Sequence, residues 1–407
     1  MVIPQTVDDS RRCKAVFEKA LQYSRAAEVA SAGFQPYFRQ VETNSGVRWM
    51  VEGEEKLVAC SNDYLGLACD ERVKAAARRA LDRYGTSCTG SRFLTGTLVL
   101  HDRLEEQLAE FLQVERVLTF STGFLGCLSA LSALGGRKDI LYFDRENHAS
   151  LYDGSRLAFS KLRKYRHNDM EQLEHLLERD SSFPGGRLIV TDGVFSMSGH
   201  IAPLGRLVEL ADRFNAGLLV DDAHATGVLG KAGRGTAEHL GLDQGIDLVV
   251  GTFSKAFGSV GGFLAGDMEV IDYIRCVARP FIFTAALPGM QIAATTKALE
   301  LIQRESWRRE KLQQNVEFYR QSMHELGFDT LGSETPIVPV LIGEESRTFR
   351  FWQGLWDAGI FTSPAIPPGV PEGQCIVRTS ITARHSHDDI EEILIAFERV
   401  GRSLGVI

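Results

Sequence analysis

From residue 116 onward, short runs of β-branched and other apolar residues alternate with longer stretches whose apolar positions recur every three or four residues. The runs at 116–119, 140–143, 162–165, 188–192, 217–221 and 248–251 read as strands. Between them, 125–134, 151–158, 170–178 and 204–214 read as helices. Such alternation predicts an α/β fold, with a mostly parallel sheet covered by helices on both faces. Upstream, 8–32 has helical spacing at Val16, Leu21 and Ala27 and is broken by Gly33-Phe34-Gln35-Pro36. Strand-like runs follow at 47–51 and 56–59. Helices at 72–84 and 101–112 flank the loop 85–97, too rich in Gly, Ser and Thr to be core and long enough to suggest a functional loop. Past Pro288 the pattern predicts one long helix over 291–326, strands near 337–342 and 375–380, and a final helix over 388–404. The expected organisation is an N-terminal segment over 1–60, a large domain over 61–288 and a smaller C-terminal α/β domain over 289–407.

A chain of 407 residues has room for two or three cores. A net charge of −8 with no basic run argues against a nucleic-acid binder. No apolar run approaches the roughly 20 residues that span a bilayer. Residues 1–12 lack the apolar core of a signal peptide. Seven cysteines, scattered and never in a C-x-x-C pair, read as reduced thiols of a cytoplasmic protein.

Chemistry gathers where the strands end, which is where ligands sit in open α/β sheets. The run Val249-Val250-Gly251-Thr252-Phe253-Ser254-Lys255 leads an apolar strand into small residues and one lysine. Alone, such a lysine reads as a solvated loop residue. If desolvated, its pKa falls and it offers the free amine that imine chemistry needs. One strand away, Gly217-Leu218-Leu219-Val220-Asp221-Asp222-Ala223-His224 ends in two acids and an imidazole. Asp221 suits either a turn cap or the partner of a buried cation such as a protonated pyridine nitrogen. A divalent metal held by Asp221, Asp222 and His224 is a rival, without a second ligand pair at suitable spacing. His148 follows another strand and suits either stacking on a planar group or a plain loop hydrogen bond. Ser121-Thr122-Gly123-Phe124 opens a helix whose free N–H groups could take a phosphate. Neither a Walker A motif nor a strand-led G-x-G-x-x-G turn is present. Together these features describe a pyridoxal phosphate site.

On those residues the chain resembles the α-oxoamine synthases, fold-type I pyridoxal phosphate enzymes that condense an amino acid with an acyl-CoA and release carbon dioxide. The resemblance runs from about Phe34 to the C-terminus. It passes through Asn62-Asp63-Tyr64-Leu65-Gly66, Gly90-Ser91-Arg92, His148-Ala149-Ser150, Asp221-Asp222-Ala223-His224, Thr252-Phe253-Ser254-Lys255 and Pro367-Pro368-Gly369-Val370-Pro371. Within the family it is most similar to the soluble bacterial serine palmitoyltransferases, on Arg279-Pro280-Phe281-Ile282-Phe283-Thr284-Ala285, Arg166-His167-Asn168 and the C-terminal 401–407. The resemblance implies the fold-type I fold, with a seven-stranded-type sheet and a smaller C-terminal domain. It implies that Lys255 binds the cofactor as an imine and moves the Cα proton, while Asp221 pairs with the ring nitrogen and His148 stacks on the ring. It also implies that His224 and Ser196 contact the ring hydroxyl oxygen. Gly123, Phe124, Thr252 and Ser254 would surround the phosphate, with Thr284 arriving from the neighbouring subunit of a homodimer. Arg378 would hold the substrate carboxylate, with Asn62 and Ser91 lining the substrate side. Serine and a long-chain acyl-CoA are the expected substrates. Glycine with acetyl-CoA, alanine with a pimeloyl thioester, and an acyl carrier protein as donor stay open. Several relatives carry an arginine immediately before the Pro-Pro pair, where this chain has Ile366. A partner subunit without chemistry would be expected to lack Lys255. Another fold-type I aminotransferase or decarboxylase would not need the Gly-Ser-Arg and Pro-Pro stretches.

Overall fold

The computed structural model describes residues 14–242 and 244–407. The expected helical stretch before residue 14, residues 1–12 and Cys13 lie outside them. Among the described residues no cysteine forms a disulfide.

Seven strands form the central sheet, in the spatial order Arg116–Phe120, Gly262–Gly266, Leu248–Thr252, Gly217–Asp221, Arg187–Asp192, Ile140–Asp144, Lys161–Tyr165. All neighbours run parallel except Gly262–Gly266, which is antiparallel to both of its partners. Side chains alternate between faces along each strand. Leu219, Phe143 and Val190 enter one core with Leu131, Leu151 and Ile274 from the helices on that side. Leu218, Val220, Tyr142 and Ile189 enter another with Leu173, Leu177, Leu207 and Leu210. Truncating such a side chain, Leu219→Ala for instance, costs about 2–5 kcal/mol. Because six of the seven strands run in one direction, carboxyl ends such as Asp144, Asp192, Asp221, Thr252 and Phe120 meet at one edge of the sheet.

The antiparallel strand is absent from the sequence reading, where its glycines look like loop. They are required by packing: a Cβ on Gly262 would lie 2.5 Å from Gly123 Cα. This close approach seats the helix Gly123–Leu134 directly on the sheet. The predicted single helix over 291–326 is two, Gly289–Arg304 and Trp307–Glu325. No Gly or Pro marks the break. At the junction Glu305 leaves helical geometry, and its carboxylate takes hydrogen bonds from Arg72 and Arg308.

Toward the C-terminus, Ile337–Gly343, Cys375–Ser380 and Ser363–Ala365 form a three-stranded antiparallel sheet. The early strands Arg48–Val51 and Glu54–Val58 pair with each other, and the second pairs with Ile360–Phe361. A bridge from Cys60 to Ser380 continues that contact. The loop beginning at Ser61 is therefore carried between the C-terminal sheet and the main sheet's ligand edge. Among the described residues no helix is long and apolar enough to cross a membrane.

Candidate active site

A cavity of about 270 Å³ opens at the carboxyl edge of the main sheet, with Asp221 at its inner end and Lys255 on its wall. Asp221 ends the fully apolar strand Gly217–Asp221 and is buried. Its Oδ1 accepts the Ala223 N–H at 3.1 Å, and its Oδ2 takes the Cys127 thiol at 3.4 Å. The next side chain points away: Asp222 accepts the Thr236 N–H at 3.0 Å, and burial pushes its pKa up to about 6. Asp221 and Asp222 therefore do not converge on one ion.

Lys255 follows the strand Leu248–Thr252 in a turn held by the Gly258 N–H to Lys255 carbonyl bond of 2.8 Å. Burial lowers its pKa to about 8, opposed by the carboxylates of Asp221 and Asp192. At that value roughly a tenth of the amine is unprotonated at pH 7, against less than about a thousandth for an ordinary lysine.

Opposite Lys255, the helix Gly123–Leu134 begins at the cavity wall, with Thr122 capping it by accepting the Leu125 N–H at 3.2 Å. The first N–H groups of a helix have no intrahelical acceptor and favour an anion. Beside Gly123 and Phe124, the hydroxyls of Thr252 and Ser254 lie 2.8 Å apart. A Cβ on Gly123 would sit 3.2 Å from the Gly251 carbonyl, so a larger residue there would crowd this corner.

His148 is the N-cap of the helix Ala149–Ala158; its Nδ1 lies 2.7 Å from Ser150 Oγ, and its N–H donates to Asp192 at 3.2 Å. Burial lowers the pKa of His148, and burial with the nearby cations Lys255 and Arg378 holds His224 well below the usual range. Both imidazoles are neutral. Ser196 also lines this cavity, and its carbonyl accepts Arg378 Nε at 2.7 Å. Arg378 further donates to Ser380 Oγ at 2.9 Å and Asn62 Oδ1 at 3.1 Å. A second cavity of about 350 Å³, lined by Asn62, Trp49 and His385, reaches Lys255 and Ser254 from the other side.

The chain matches the aminotransferase class I and II family over residues 54–397. It is 43% identical over 383 residues to the serine palmitoyltransferase of Sphingobacterium spiritivorum, covering 94% of this chain and 96% of that protein. The 8-amino-7-oxononanoate synthase of Thermoanaerobacter pseudethanolicus (strain ATCC 33223 / 39E) is 41% identical over 380 residues, 93% of this chain and 96% of that one. A solved serine palmitoyltransferase bearing a pyridoxal phosphate internal aldimine superposes with a TM-score of 0.93 at 33% identity, covering 98% of this chain and all of that one. The chain belongs to the α-oxoamine synthases. It has their fold-type I architecture and is a pyridoxal phosphate-dependent enzyme.

The cavity of this α-oxoamine synthase fits that cofactor on its own terms. A carboxylate waits at the inner end for a ring nitrogen, an amine of low pKa faces it, and a helix start with two hydroxyls offers a phosphate corner. Of the residues expected from sequence, Gly123, Phe124, His148, Ser196, Asp221, His224, Thr252, Ser254 and Lys255 line this one cavity. Asn62 lines the second. Ser91 and Thr284 are not brought to Lys255 within the chain. Ser91 instead bridges Ala285, and Thr284 lies beside Arg92 and Ser121. Ile366 sits half-buried just past the strand Ser363–Ala365 and lines neither cavity.

Residues that sequence reasoning left without a role also reach the site. Asp192 lies directly across from Asp221 in the register of the two parallel strands. Its strand-end position was a usable signal. Cys127 had none: its place behind Asp221 comes from the helix docking on the sheet. Tyr64 is fully buried, with its hydroxyl 2.8 Å from His224 Nδ1.

Proposed function

We propose that this α-oxoamine synthase joins serine to a long-chain acyl-CoA. The reaction releases carbon dioxide and CoA and leaves an α-amino ketone such as 3-ketodihydrosphingosine, a step of sphingolipid synthesis. The observation carrying the chemistry is Lys255: its amine, held near pKa 8, stands between a cavity shaped for the cofactor and a second cavity that can receive substrate. When bound, pyridoxal phosphate supplies an electron-withdrawing ring that stabilises negative charge at the amino acid Cα.

The chain's own residues divide the remaining work. Lys255 acts as the base that takes the Cα proton, and a value near the working pH suits a group that must both accept and return it. Asp221 would pair with the ring nitrogen and His148 would stack on the ring, with His224 and Ser196 as contacts for the ring hydroxyl. The N–H groups of Gly123 and Phe124 and the hydroxyls of Thr252 and Ser254 would hold the phosphate, joined by Thr284 from the neighbouring subunit of a homodimer. Arg378, clamped by Ser196, Ser380 and Asn62, presents its guanidinium to the substrate carboxylate, with Ser91 contributed nearby. At Ile366 the loop supplies apolar contact where several relatives would supply a cation.

The test is product analysis by mass spectrometry after incubating the reconstituted enzyme with serine, glycine or alanine and acyl-CoAs of graded length. A long-chain keto-amine from serine supports the proposal. The similarity to an 8-amino-7-oxononanoate synthase favours one alternative, alanine with a pimeloyl thioester, and product from that pair alone would replace the first reading. Product from glycine and acetyl-CoA alone would also replace it. Substituting acyl carrier protein for CoA settles the donor. Sedimentation distinguishes the dimer from the 45.0 kDa monomer.

A further inference from the structure

The buried pair Tyr64 and His224 joins two segments 160 positions apart in the chain. Tyr64 belongs to the loop after Glu54–Val58, and His224 follows Gly217–Asp221. Tyr64 is 1% exposed and His224 8%, with ring centroids 6.2 Å apart at a tilt of 58°. The Tyr64 oxygen stands 2.8 Å from His224 Nδ1 and 3.3 Å from Asn62 Oδ1.

We propose that Tyr64 is a positioning residue that fixes His224 in the Nε2–H tautomer, so that the imidazole presents an N–H donor to the Lys255 cavity. A neutral imidazole carries a single N–H, and the proton on one ring nitrogen is set by the hydrogen bond at the other. Tyr64 has one hydroxyl proton; Arg378 and Ser380 also lie against the hydroxyl, and its hydrogen-bonded acceptors are His224 Nδ1 and Asn62 Oδ1. Asn62 Oδ1 already receives Arg378 Nη2 at 3.1 Å, whereas the imidazole nitrogen is nearer and more basic. The hydroxyl therefore donates to Nδ1, and the ring proton resides on Nε2. Nε2 makes no hydrogen bond among the described residues, and His224 lines the same cavity as Ser196 and Lys255. A donor there suits an anionic or hydroxyl oxygen on a planar ligand. The reverse tautomer would present a lone pair and repel it.

The consequence for cofactor binding rests on the cofactor reading of this cavity, but the tautomer itself can be measured without cofactor. The apo enzyme, labelled with ¹⁵N-histidine, is compared with Tyr64→Phe by long-range proton–nitrogen correlation, with His224→Asn assigning the signal. The wild type is expected to show Nε2–H, and Tyr64→Phe to shift toward Nδ1–H or a mixture. Wild-type His224 as Nδ1–H overturns the proposal, as does an unchanged tautomer in a folded Tyr64→Phe. Where that variant does not fold, the wild-type spectrum alone decides. Added pyridoxal phosphate is expected to bind Tyr64→Phe roughly fivefold more weakly, the scale of one hydrogen bond. Binding equal to wild type overturns the positioning role. If the wild type itself shows no cofactor absorption band, the cofactor reading fails and the tautomer result stands apart from it.

Discussion

Asp192 and Asp221 face each other across two parallel strands, both buried, at the inner end of one cavity. Two carboxylates in such a place do not both ionise readily. Burial, reinforced by the charge of Asp221, raises the pKa of Asp192 well above the usual carboxylate range, which disposes Asp192 to hold a proton.

This asymmetry predicts opposite outcomes for two amide substitutions. Asp192→Asn replaces an acid disposed to hold a proton with a neutral amide whose oxygen can still accept the His148 main-chain N–H, now bonded at 3.2 Å. Cofactor binding and turnover should stay within about tenfold of wild type. Asp221→Asn removes the charge expected at the ring nitrogen and should cut turnover by a factor of about 100 or more with the cofactor band retained. Equal loss in both variants would show that the assignment of charge is wrong. A raised acid pKa also means the fold binds a proton that the unfolded chain releases, so this group's contribution falls as pH rises above the unfolded value of about 3.9. Asp192→Asn should flatten that decline in thermal unfolding measured as a function of pH.

The free amine of Lys255 sets a second pH dependence. Attack on a carbonyl requires the unprotonated form, and the residue's pKa is about 8 instead of the ordinary 10.5. The rate of pyridoxal phosphate capture by the apo enzyme should climb through pH 8 and level off above it, as followed by stopped-flow absorbance. A rate still rising toward pH 10 would mean that burial does not depress this lysine.

His167 and His200 link Asp144 to the Leu331 carbonyl through stacked, hydrogen-bonded imidazoles. His167 Nδ1 lies 3.2 Å from buried Asp144 and 3.7 Å from Glu146, and its Nε2 lies 2.8 Å from His200 Nδ1. His200 Nε2 donates to the Leu331 carbonyl at 2.6 Å, and a protonated His167 could donate from Nδ1 to Asp144 and from Nε2 to His200 Nδ1 at once. The edge of the Phe195 ring completes its surroundings. Hydrogen bonding to Asp144 and its charge raise the His167 pKa against the opposing effect of burial. A histidine raised on folding stabilises fully below its unfolded value of about 6.5, and that contribution disappears as pH rises through the folded value. The stability gap between wild type and His167→Gln should therefore be largest below pH 6 and narrow above neutrality. A gap independent of pH would remove the charged chain.

How far the chain could be read in advance depended on how local each cause is. Lys255, Asp221 and His148 stand directly after apolar strands, so the alternating pattern alone places them at one edge. Gly123 and Phe124 follow from the helix start next to a strand. Tyr64 is different: its bond to His224 spans 160 positions, and nothing in its own neighbourhood announces it. The strand Gly262–Gly266 was hidden because its glycines answer to a helix that packs against them, not to β propensity. The helix break at Glu305 was hidden for a similar reason, since distant Arg72 holds the carboxylate at the junction.

Arg378 gives the last prediction, because all three faces of its guanidinium are used. Nε reaches the Ser196 carbonyl at 2.7 Å, Nη1 reaches Ser380 Oγ at 2.9 Å and Nη2 reaches Asn62 Oδ1 at 3.1 Å. The residue is buried in the strand Cys375–Ser380, so acceptors it releases would be left without a donor. An ammonium has no planar fork and cannot meet three acceptors in these directions at once. Arg378→Lys keeps the charge and should lose about 1–3 kcal/mol of stability from the unsatisfied groups. If the proposed substrate role holds, its KM for the amino acid should also rise by about tenfold or more, with KM for the acyl thioester much less affected. Chemical unfolding and steady-state kinetics on the same preparation separate the two effects. A stability loss with both KM values unchanged would leave Arg378 as a structural clamp between the Asn62 loop and the C-terminal sheet, and the substrate carboxylate would need another partner.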